Sequence, residues 1–349
     1  MKILFFDSLF PRGHISINSR YINLLRNNNE IVICSKSGRF ECIDGLEYVD
    51  ANWYYPNENE IKSSFYRWGI FKNCFKLAKV IEEIKPDIVY IASYDIISFF
   101  FALPFLFPYR NIIVLQEHNN IDQLENKIKN IVYSFYKNHF HHFVLEEYIR
   151  ERLIRLNVQP HLVHVIPHPL PQAVKIGQSG ENLIIGLSNS NDENIINNLF
   201  IKFQNSPLLQ KLQYKIVVKA KNINYADKNL KIFKGWITKD EYMNYCGQSN
   251  YYIIPFSKSY SYRVSAVFLE AVSNGKYILA SRFALADYYS KKYPGLCQIF
   301  DDVGEIPTLI ERTDRVQYLK ARKRFILDHS DLIITEKFTD VLNKIIKGL

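Results

Sequence analysis

The sequence predicts an α/β protein of two domains, each built on a parallel sheet with helices on its faces. At 349 residues, the chain is longer than the roughly 250–300 residues at which single cores stop growing. Short apolar runs of strand length alternate with segments of helical periodicity, an order typical of parallel sheets. The alternation pauses at Pro167–Glu181, which is rich in Pro, Gly and Gln, and then begins again. We interpret that segment as an interdomain linker.

The first half contains four predicted strands and two predicted helices. The strands are Met1–Asp7, Glu30–Cys34, Ile88–Ile91 and Asn111–Leu115. Between them, Ser16–Arg26 and Ser63–Ile84 carry apolar residues at intervals of three and four, which is the spacing of one helix face. Pro86 ends the second helix, because proline has no backbone N–H to donate.

The second half repeats this order. Its predicted strands are Leu183–Leu187, Tyr214–Val218, Leu230–Phe233, Tyr251–Ile254 and Lys276–Ala280. The final stretch, Leu319–Leu349, is predicted to be helical.

Charge is concentrated in the second half of the chain. Residues 1–175 hold 20 Lys and Arg against 18 Asp and Glu, or +2, whereas residues 176–349 hold 24 against 17, or +7. A basic half suits an anionic ligand such as a nucleotide diphosphate, a nucleic acid or a membrane surface. No RNA-binding or DNA-binding motif accompanies the charge, so nucleic acid is not an expected partner.

Composition predicts a cytoplasmic protein. The start, MKILFF, has one Lys and a short apolar run, unlike a secretory signal. The most apolar stretch, Ile97–Phe107, is interrupted by Pro104 and is shorter than the roughly 20 residues that span a bilayer. We predict a buried helix there, with a face against a membrane as the alternative. The five cysteines are scattered without CxxC spacing, which indicates neither a zinc site nor disulfides.

Several cofactor and catalytic motifs are absent. No GxGxxG follows a predicted strand, since Gly13 and Gly186 each stand alone, and this argues against a dinucleotide-binding dehydrogenase. No DxD, HExxH, GxSxG or P-loop occurs, so no metal is expected. The HFHH run at His139–His142 lacks a carboxylate or Cys partner at ligand spacing, and we interpret it as a helix face.

The most informative segment is Ile232–Ser281. It contains a strand with a Gly, a helix, a buried strand ending in Pro-Phe-Ser, a helix with Leu-Glu-Ala, and Gly-Lys before another strand. This order resembles the C-terminal donor domain of GT-B glycosyltransferases, the large retaining group that uses nucleotide sugars. The matching residues are Pro255, Ser257, Glu270, Ala271 and Gly275–Ile278.

Less specific matches extend the resemblance over most of the chain. Val165–Pro169 lies where the family has a hinge into its second domain, and Gly186–Asn189 matches the loop after that domain's first strand. Phe10–Asn18 resembles the loop that faces the donor phosphates. The resemblance implies two Rossmann-like domains facing each other across a cleft. We expect an acceptor domain at 1–172, a nucleotide-sugar donor domain at 173–330, and a C-terminal helix at 331–349 that packs back across the cleft.

The family's hallmark is a pair of Glu residues separated by seven residues. Glu270 occupies the second position, which the resemblance assigns to the donor's ribose, whereas Tyr262 stands at the first. The resemblance implies retention of configuration, and Tyr262 is a departure from the pattern on which that implication rests. Glu270 lies in an apolar helix, where a carboxylate is unfavourable unless it is paired or binds a ligand. A solvated residue or a salt bridge to Arg263 is the alternative interpretation.

Three cations are candidates for the donor's diphosphate. Arg263 comes just before a predicted helix, and both its planar fork and the helix N-terminus suit phosphate oxygens. Lys219 and Lys221 follow a predicted strand, at the sheet edge where ligands of open α/β sheets bind. An ordinary surface role is the alternative for all three.

Four further residues are predicted to contact the donor. The resemblance places Ser188 and Asn189 in a phosphate-side loop where the family often has cations instead. Gly13 would let backbone amides approach the phosphates, although a plain turn explains one Gly equally well. Trp236 follows Gly235 and is a candidate for the base pocket through its backbone, with a core position for its side chain as the alternative.

His118 is the catalytic candidate of the first half. Gln116–Asn119 follows an apolar strand where the family places a His pointing into the cleft. His118 would bond the transferred sugar or orient the acceptor, or act as a general base with Glu117 and Asp122 as competitors. A structural histidine is the alternative.

These features predict a metal-independent glycosyltransferase that moves a sugar from a nucleotide-diphospho-sugar to a glycan or lipid-linked acceptor. Bacterial surface polysaccharide synthesis is the expected setting, by analogy with the family. Because such acceptors are membrane-anchored, we expect peripheral contact of the aromatic-rich first domain with the inner face of the membrane. Two alternatives are a nucleotide-sugar epimerase and a non-catalytic GT-B-like partner of an active transferase.

Overall fold

The chain folds into two compact units. The computed structural model describes residues 1–7, 9, 15–35, 40, 43–49, 53–55, 64–173 and 182–348. One unit comprises Met1–Pro169 with His329–Leu349, and the other comprises Leu170–Asp328. Each unit contains a seven-stranded sheet. The predicted α/β class, with a parallel sheet in each half, is confirmed.

The sheet of the first unit is parallel throughout its described strands. These are β1 (Lys2–Asp7), β2 (Glu30–Cys34), β3 (Glu47–Tyr48), β4 (Ile88–Ser93), β5 (Ile113–Gln116), β6 (His141–Val144) and β7 (Val163–Val165). Their order is β3-β2-β1-β4-β5-β6-β7. In the interior strand β1, Phe5 pairs with Ile33 on one side and Tyr90 on the other. The near-continuous apolar runs of β1 and β4 follow from burial on both faces.

Helices cover both faces of this sheet. They are α1 (Ile15–Arg26), α2 (Ser64–Ile84), α3 (Ile96–Leu106), α4 (Asn120–Gln123), α5 (Lys127–Ser134) and α6 (Glu147–Arg155), with short 3-10 turns at Phe107–Tyr109 and Pro160–Leu162. On β6 the His142 ring lies 5.8 Å from the Tyr133 ring of α5. The next residue, Phe143, points the other way, because side chains alternate along a strand.

The second unit has a mixed sheet with one antiparallel edge. Its strands are β8 (Leu183–Gly186), β9 (Lys215–Ala220), β10 (Tyr225–Ala226), β11 (Leu230–Lys234), β12 (Tyr251–Ile254), β13 (Tyr277–Ser281) and β14 (Gln298–Phe300). Their order is β10-β11-β9-β8-β12-β13-β14. The short β10 runs antiparallel to β11, and the other pairings are parallel. Gly186 fits between neighbouring strands, since a Cβ there would lie 2.8 Å from Ile253 Cγ2 and 3.1 Å from Val218 Cγ1.

The remaining helices follow in chain order. They are α7 (Glu193–Asn205), α8 (Pro207–Gln210), α9 (Lys239–Gln248), α10 (Ala266–Ser273), α11 (Ala284–Lys292), α12 (Ile306–Glu311), α13 (Arg315–Asp328) and α14 (Asp331–Ile346), with a 3-10 turn at Val303–Glu305. The last helix belongs to the first unit. There its Phe338 ring lies 5.4 Å from Tyr21 of α1 and 5.8 Å from Phe143. Whether it packs across a cleft stays a prediction.

One prediction about an individual element is wrong, and another is right only in part. The HFHH run is not a helix face, because His141 and His142 lie in β6 and His139 precedes it. The apolar stretch predicted as a buried helix forms α3, which continues through Pro104 and buries only one face. Phe101 and Phe105 on its other face are exposed. Among the described helices, none is long and apolar enough to cross a bilayer.

Candidate functional site

The second sheet has a topological switch point between β8 and β12. From β8 the chain moves to β9 and β11 on one side, whereas β12, β13 and β14 follow on the other side. Ligands of open α/β sheets bind at such a point, outside the carboxyl ends of the strands. The segments that follow these strands, 187–192 and 255–265, are therefore the first place to look for a ligand site.

A small set of polar contacts fixes the loop after β8. Asn191, which is buried, donates from Nδ2 to the carbonyl oxygens of Gly186 at 2.7 Å and Lys219 at 2.9 Å. The backbone N–H of Asp192 donates to the Pro255 carbonyl at 2.8 Å. Its carboxylate also caps α7. The loop is thereby tied to the ends of β8, β9 and β12.

The structure brings together three of the predicted donor-site residues. The Lys219 ammonium group donates to Asn189 Oδ1 and lies 4.1 Å from the centroid of the Trp236 ring. Trp236 is 82% exposed, so the core position is excluded for its side chain. It follows Gly235, whose φ of +97° favours glycine. Partial burial lowers the pKa of Lys219. We call Asn189, Lys219 and Trp236 the lysine–tryptophan cluster.

Ser188 and Lys221 lie near this cluster in the chain but make different contacts. Ser188 Oγ accepts a hydrogen bond from the Ser190 N–H at 3.1 Å, which stabilises the turn. The backbone N–H groups of Lys221 and Asn222 donate to the carboxylate of Glu193 at the start of α7. The side chain of Lys221 is exposed. It lies one residue beyond the end of β9.

Arg263 lies at the entry to α10. Its guanidinium carbon is 4.3 Å from the centroid of the Tyr260 ring, and the Tyr260 hydroxyl donates to the Val264 carbonyl at 3.1 Å. Ser265 then caps the helix by accepting from the Phe268 N–H at 3.2 Å. Stacking on Tyr260 orients the planar fork beside the positive end of the helix.

Glu270 binds three donors of its own unit. Its Oε1 accepts from the hydroxyls of Tyr242 at 2.8 Å and Tyr252 at 2.9 Å, and from the Cys246 thiol at 3.3 Å. Burial, and next the charge of Glu270, raise the pKa of both tyrosines and bring that of Cys246 to about 12, so all three keep their protons. Oε2 accepts no hydrogen bond from the described residues, and the ribose contact of Glu270 stays a prediction.

Sequence reasoning missed these partners of Glu270. Tyr242 and Cys246 are four residues apart on α9 and share one face, a spacing that is visible in the sequence. What the sequence does not show is that this face and Tyr252 of β12 both turn toward α10. The two tyrosines link Glu270, which the resemblance assigns to the donor's ribose, to α9 and β12.

A cavity of about 490 Å³ opens at the same sheet edge, beside the ends of β12, β13 and β14. Its polar lining includes Asp192, Ser257, Lys258, Ser281, Arg282 and Asp301. Arg282 donates to both carboxylate oxygens of Asp301, at 2.7 and 2.8 Å, and to Asp287 at 2.9 Å. The hydrogen bonds from Arg282 lower the pKa of Asp301. The sequence did not predict this cavity.

In the first unit, His118 is buried and follows β5 by two residues. The preceding residue, Glu117, is fully buried, and its Oε1 accepts from the Tyr94 hydroxyl at 2.7 Å and lies 2.8 Å from His142 Nδ1. His142 Nε2 lies 2.8 Å from the Lys137 carbonyl, which only accepts, so that nitrogen carries a proton. Glu117 Oε1 and His142 Nδ1 are within hydrogen-bond distance of each other. These contacts tie Glu117 to Tyr94 and to β6, and its part as a competing general base stays a prediction.

Two other predictions concern Gly13 and a metal site. Gly13 lies outside the described residues. Among the described residues, no group of three or more His, Cys, Asp or Glu is arranged to hold a metal ion.

Comparison with known proteins identifies the fold. No protein-family model and no curated protein sequence matches the chain. Solved structures match over nearly its whole length. HepE from Anabaena in complex with UDP-glucose has a TM-score of 0.62 and 12% identity, covering 99% of this chain and 100% of its own. Sucrose-phosphate synthase from Thermosynechococcus elongatus has a TM-score of 0.67 and 10% identity, covering 100% of both chains.

The chain has the GT-B fold. The predicted resemblance to GT-B glycosyltransferases is thereby confirmed at the level of structure. UDP-N-acetylglucosamine 2-epimerase from Rickettsia bellii is also similar, with a TM-score of 0.60 and 13% identity over 100% of this chain and 97% of its own. Transferases and an epimerase share this fold, so the choice of function depends on the site.

Proposed function

We propose that the chain is a glycosyltransferase that moves a sugar from a nucleotide-diphospho-sugar to a glycan or lipid-linked acceptor. The lysine–tryptophan cluster is the observation that carries this proposal. It combines a cation, an amide and an exposed aromatic ring at the carboxyl edge of the GT-B second sheet. Phosphate, hydroxyl groups and a planar base are the chemical groups that these side chains recognise.

In this proposal, positively charged side chains rather than a metal ion stabilise the leaving diphosphate. In the proposed mechanism Lys219 and Arg263 bind its oxygens, and the amino end of α10 adds its own partial positive charge. Such groups stabilise the charge that develops as the bond between sugar and phosphate breaks. Glu270 Oε2 accepts from the ribose hydroxyls. His118 contacts the transferred sugar.

Uridine is the first base to test, because the similar HepE structure contains UDP-glucose. We propose bacterial surface polysaccharide synthesis as the biological setting, at the cytoplasmic face of the membrane. There the acceptor is anchored in lipid and the nucleotide sugar is dissolved in the cytoplasm. We also propose that the sugar's configuration is retained, with Glu270 at one position of the family's Glu pair and Tyr262 at the other.

A thermal-shift panel tests donor binding. UDP, GDP, ADP, CMP and their common sugar conjugates are added at about a hundredfold excess over Kd, which stabilises a specific complex by about 2.7 kcal/mol and raises Tm by a few degrees. We expect one nucleotide class to raise Tm, and to raise it by the same amount with and without EDTA. Lys219→Ala should weaken its affinity about tenfold or more, because a charged hydrogen bond is lost.

Lys228→Ala is the matched control, since Lys228 is an exposed lysine of the same unit. It should bind the nucleotide like the wild type. A panel in which no nucleotide raises Tm would remove the donor-site assignment and favour a non-catalytic GT-B-like partner.

An epimerase is the second candidate, because one similar structure is a nucleotide-sugar 2-epimerase. The two activities differ in their need for an acceptor. An epimerase interconverts two nucleotide sugars with no acceptor present, whereas a transferase releases the nucleotide diphosphate in an acceptor-dependent way. Incubating the donor alone and separating the products by chromatography distinguishes them. We expect the donor to remain unchanged.

A further inference from the structure

The helices α2, α3 and α5 present a continuous set of exposed aromatic side chains. We call this set the aromatic patch; it comprises Phe65, Trp68, Phe75, Phe101, Phe105 and Phe135. Ring contacts join the three helices. Phe75 of α2 lies 4.9 Å from Phe105 of α3, and Phe100 of α3 lies 5.5 Å from Phe135, which caps α5.

These rings face solvent to an unusual extent. Phe65 is 81% exposed, Phe101 61% and Trp68 57%. No charged residue occurs between Ile96 and Tyr109, so the exposed face of α3 carries nothing that favours water. Contiguous apolar surface of this kind marks an interaction site rather than an ordinary soluble face.

Cations alternate with the aromatic rings on α2. Phe65, Trp68, Lys72, Phe75 and Lys79 follow one another at intervals of three and four, so they lie on one helix face. Lys72 Nζ is 5.5 Å from the Trp68 ring centroid, and Lys79 Nζ is 5.0 Å from that of Phe75. Residues 64–81 contain four basic residues and no acidic one.

A groove between α2 and α3 continues the apolar surface. Its volume is about 420 Å³, and its lining includes Trp68, Phe71, Ile97 and Phe101. Arg67 also lines the groove, with Nε 4.0 Å from Asp95 Oδ1. An anionic lipid, with an apolar acyl chain and a negative headgroup, matches this combination of an apolar groove and a cation.

We propose that the aromatic patch docks on an anionic lipid bilayer. Aromatic rings favour the boundary between headgroups and acyl chains, while lysine stems extend so that their ammonium groups reach the lipid phosphates. A second copy of this chain fits less well, because a symmetric contact would place the same cations against one another. The proposal rests on the proposed function for its purpose, which is to bring the enzyme to a lipid-linked acceptor.

Vesicle sedimentation of the full chain tests this surface. We expect binding to phosphatidylcholine vesicles that contain about 30% phosphatidylglycerol, and little binding to phosphatidylcholine alone. The double variant Lys72→Gln/Lys79→Gln should lower vesicle affinity about 25-fold, since each cation near an anionic surface contributes about fivefold. Trp68→Ser/Phe101→Ser should reduce it at least as much.

Matched controls come from the second unit. Lys320→Gln/Lys323→Gln removes two exposed lysines of α13 and leaves the same net charge as the cation variant. Leu208→Ser removes an apolar side chain that is 67% exposed. Both controls should bind vesicles like the wild type.

Three results would overturn the proposal: no sedimentation with anionic vesicles, an equal loss in the control variants, or a dimer in analytical ultracentrifugation that Trp68→Ser/Phe101→Ser dissociates. The nucleotide thermal shift separates this proposal from the proposed function. If vesicle binding fails while the nucleotide still raises Tm, only the docking surface is wrong. If vesicles bind and no nucleotide does, only the donor site is wrong.

Discussion

The carboxylate of Glu270 divides its two oxygens between folding and a prospective ligand. Oε1 holds the hydroxyls of Tyr242 and Tyr252 and the thiol of Cys246, so it joins α9, β12 and α10. The Tyr252 side chain is buried, and its hydroxyl needs an acceptor whether or not a ligand is bound. Removing the whole carboxylate would therefore disturb the fold as well as the proposed ribose contact.

A pair of substitutions separates these roles. Glu270→Ala should lower the free energy of unfolding by about 2–3 kcal/mol, because it leaves a buried hydroxyl without its acceptor. Glu270→Gln keeps an acceptor oxygen at the same distance and should lose less than half as much. Urea denaturation measures both. Of the two variants, Glu270→Gln is the one to use in the nucleotide panel, where weakened binding then reports on the ligand contact.

Equal stability of the two Glu270 variants would contradict this assignment of Oε1. Tyr242→Phe provides the control, since it removes one donor and leaves the carboxylate in place.

At the level of individual residues, the candidate site was only partly predictable from the sequence. The apolar run around Glu270 shows in the sequence that a carboxylate there needs a partner. The identity of the partner depends on tertiary packing, because Tyr242 and Tyr252 reach Glu270 from a different helix and from a strand. Lys219 was predicted from its strand end, but its approach to Trp236 depends on the positive φ at Gly235.

The strands β6 and β7 hold a pair of facing histidines. His141 Nδ1 lies 3.1 Å from His164 Nε2. Burial lowers the pKa of His141 from 6.5 to about 4 and that of His164 to about 3. These values include smaller contributions from neighbouring charges: His142 and His161 act on both histidines, and His141 and Lys344 act on His164. At neutral pH both rings are therefore uncharged and able to share a hydrogen bond.

This pair predicts acid sensitivity of the first unit. Between pH 6.5 and about 4, His141 binds a proton in the unfolded chain and stays unprotonated in the folded chain. His164 behaves in the same way. The stability that the uncharged pair contributes is therefore fully present above pH 6.5. It is lost as pH falls from 6.5 toward the folded pKa values. We expect each histidine to contribute a loss on the order of 1–2 kcal/mol between pH 7.5 and 5. His164→Gln should lose less on acidification, as measured by Tm at the two pH values.

His139→Gln is the matched control, because His139 is exposed. It should show the same acid sensitivity as the wild type. If His164→Gln also behaves like the wild type, another group controls the acid response.

Individual elements show where sequence reasoning succeeds. The strands β2 and β12 have the bounds that their apolar runs predicted, because a strand buried on both faces is marked by an unbroken run. The same reasoning failed at β6, because the two histidines at its start, His141 and His142, hide the apolar pattern of a strand. At α3 it predicted the helix correctly but not its exposed face, since an apolar run does not show whether one face will remain uncovered.

At the scale of the whole chain, the two units carry different chemistry. The second unit contains the lysine–tryptophan cluster and the switch point of its sheet. The first unit contains the aromatic patch. Sequence charge agrees with this division, since residues 176–349 carry +7 of the total +9. The proposed nucleotide and lipid ligands should therefore act on separate segments of the chain.

Hydrogen–deuterium exchange of the full chain tests this separation. UDP, or the nucleotide class that the thermal panel selects, should slow exchange at 187–192, 219–222 and 234–237, because ligand contacts suppress local opening. Anionic vesicles should instead slow exchange along 65–79 and 97–107. Phosphatidylcholine vesicles serve as the control and should change neither set. If the nucleotide slowed exchange only within residues 64–169, the donor site would belong to the first unit, and the assignment of Lys219 and Trp236 would be wrong.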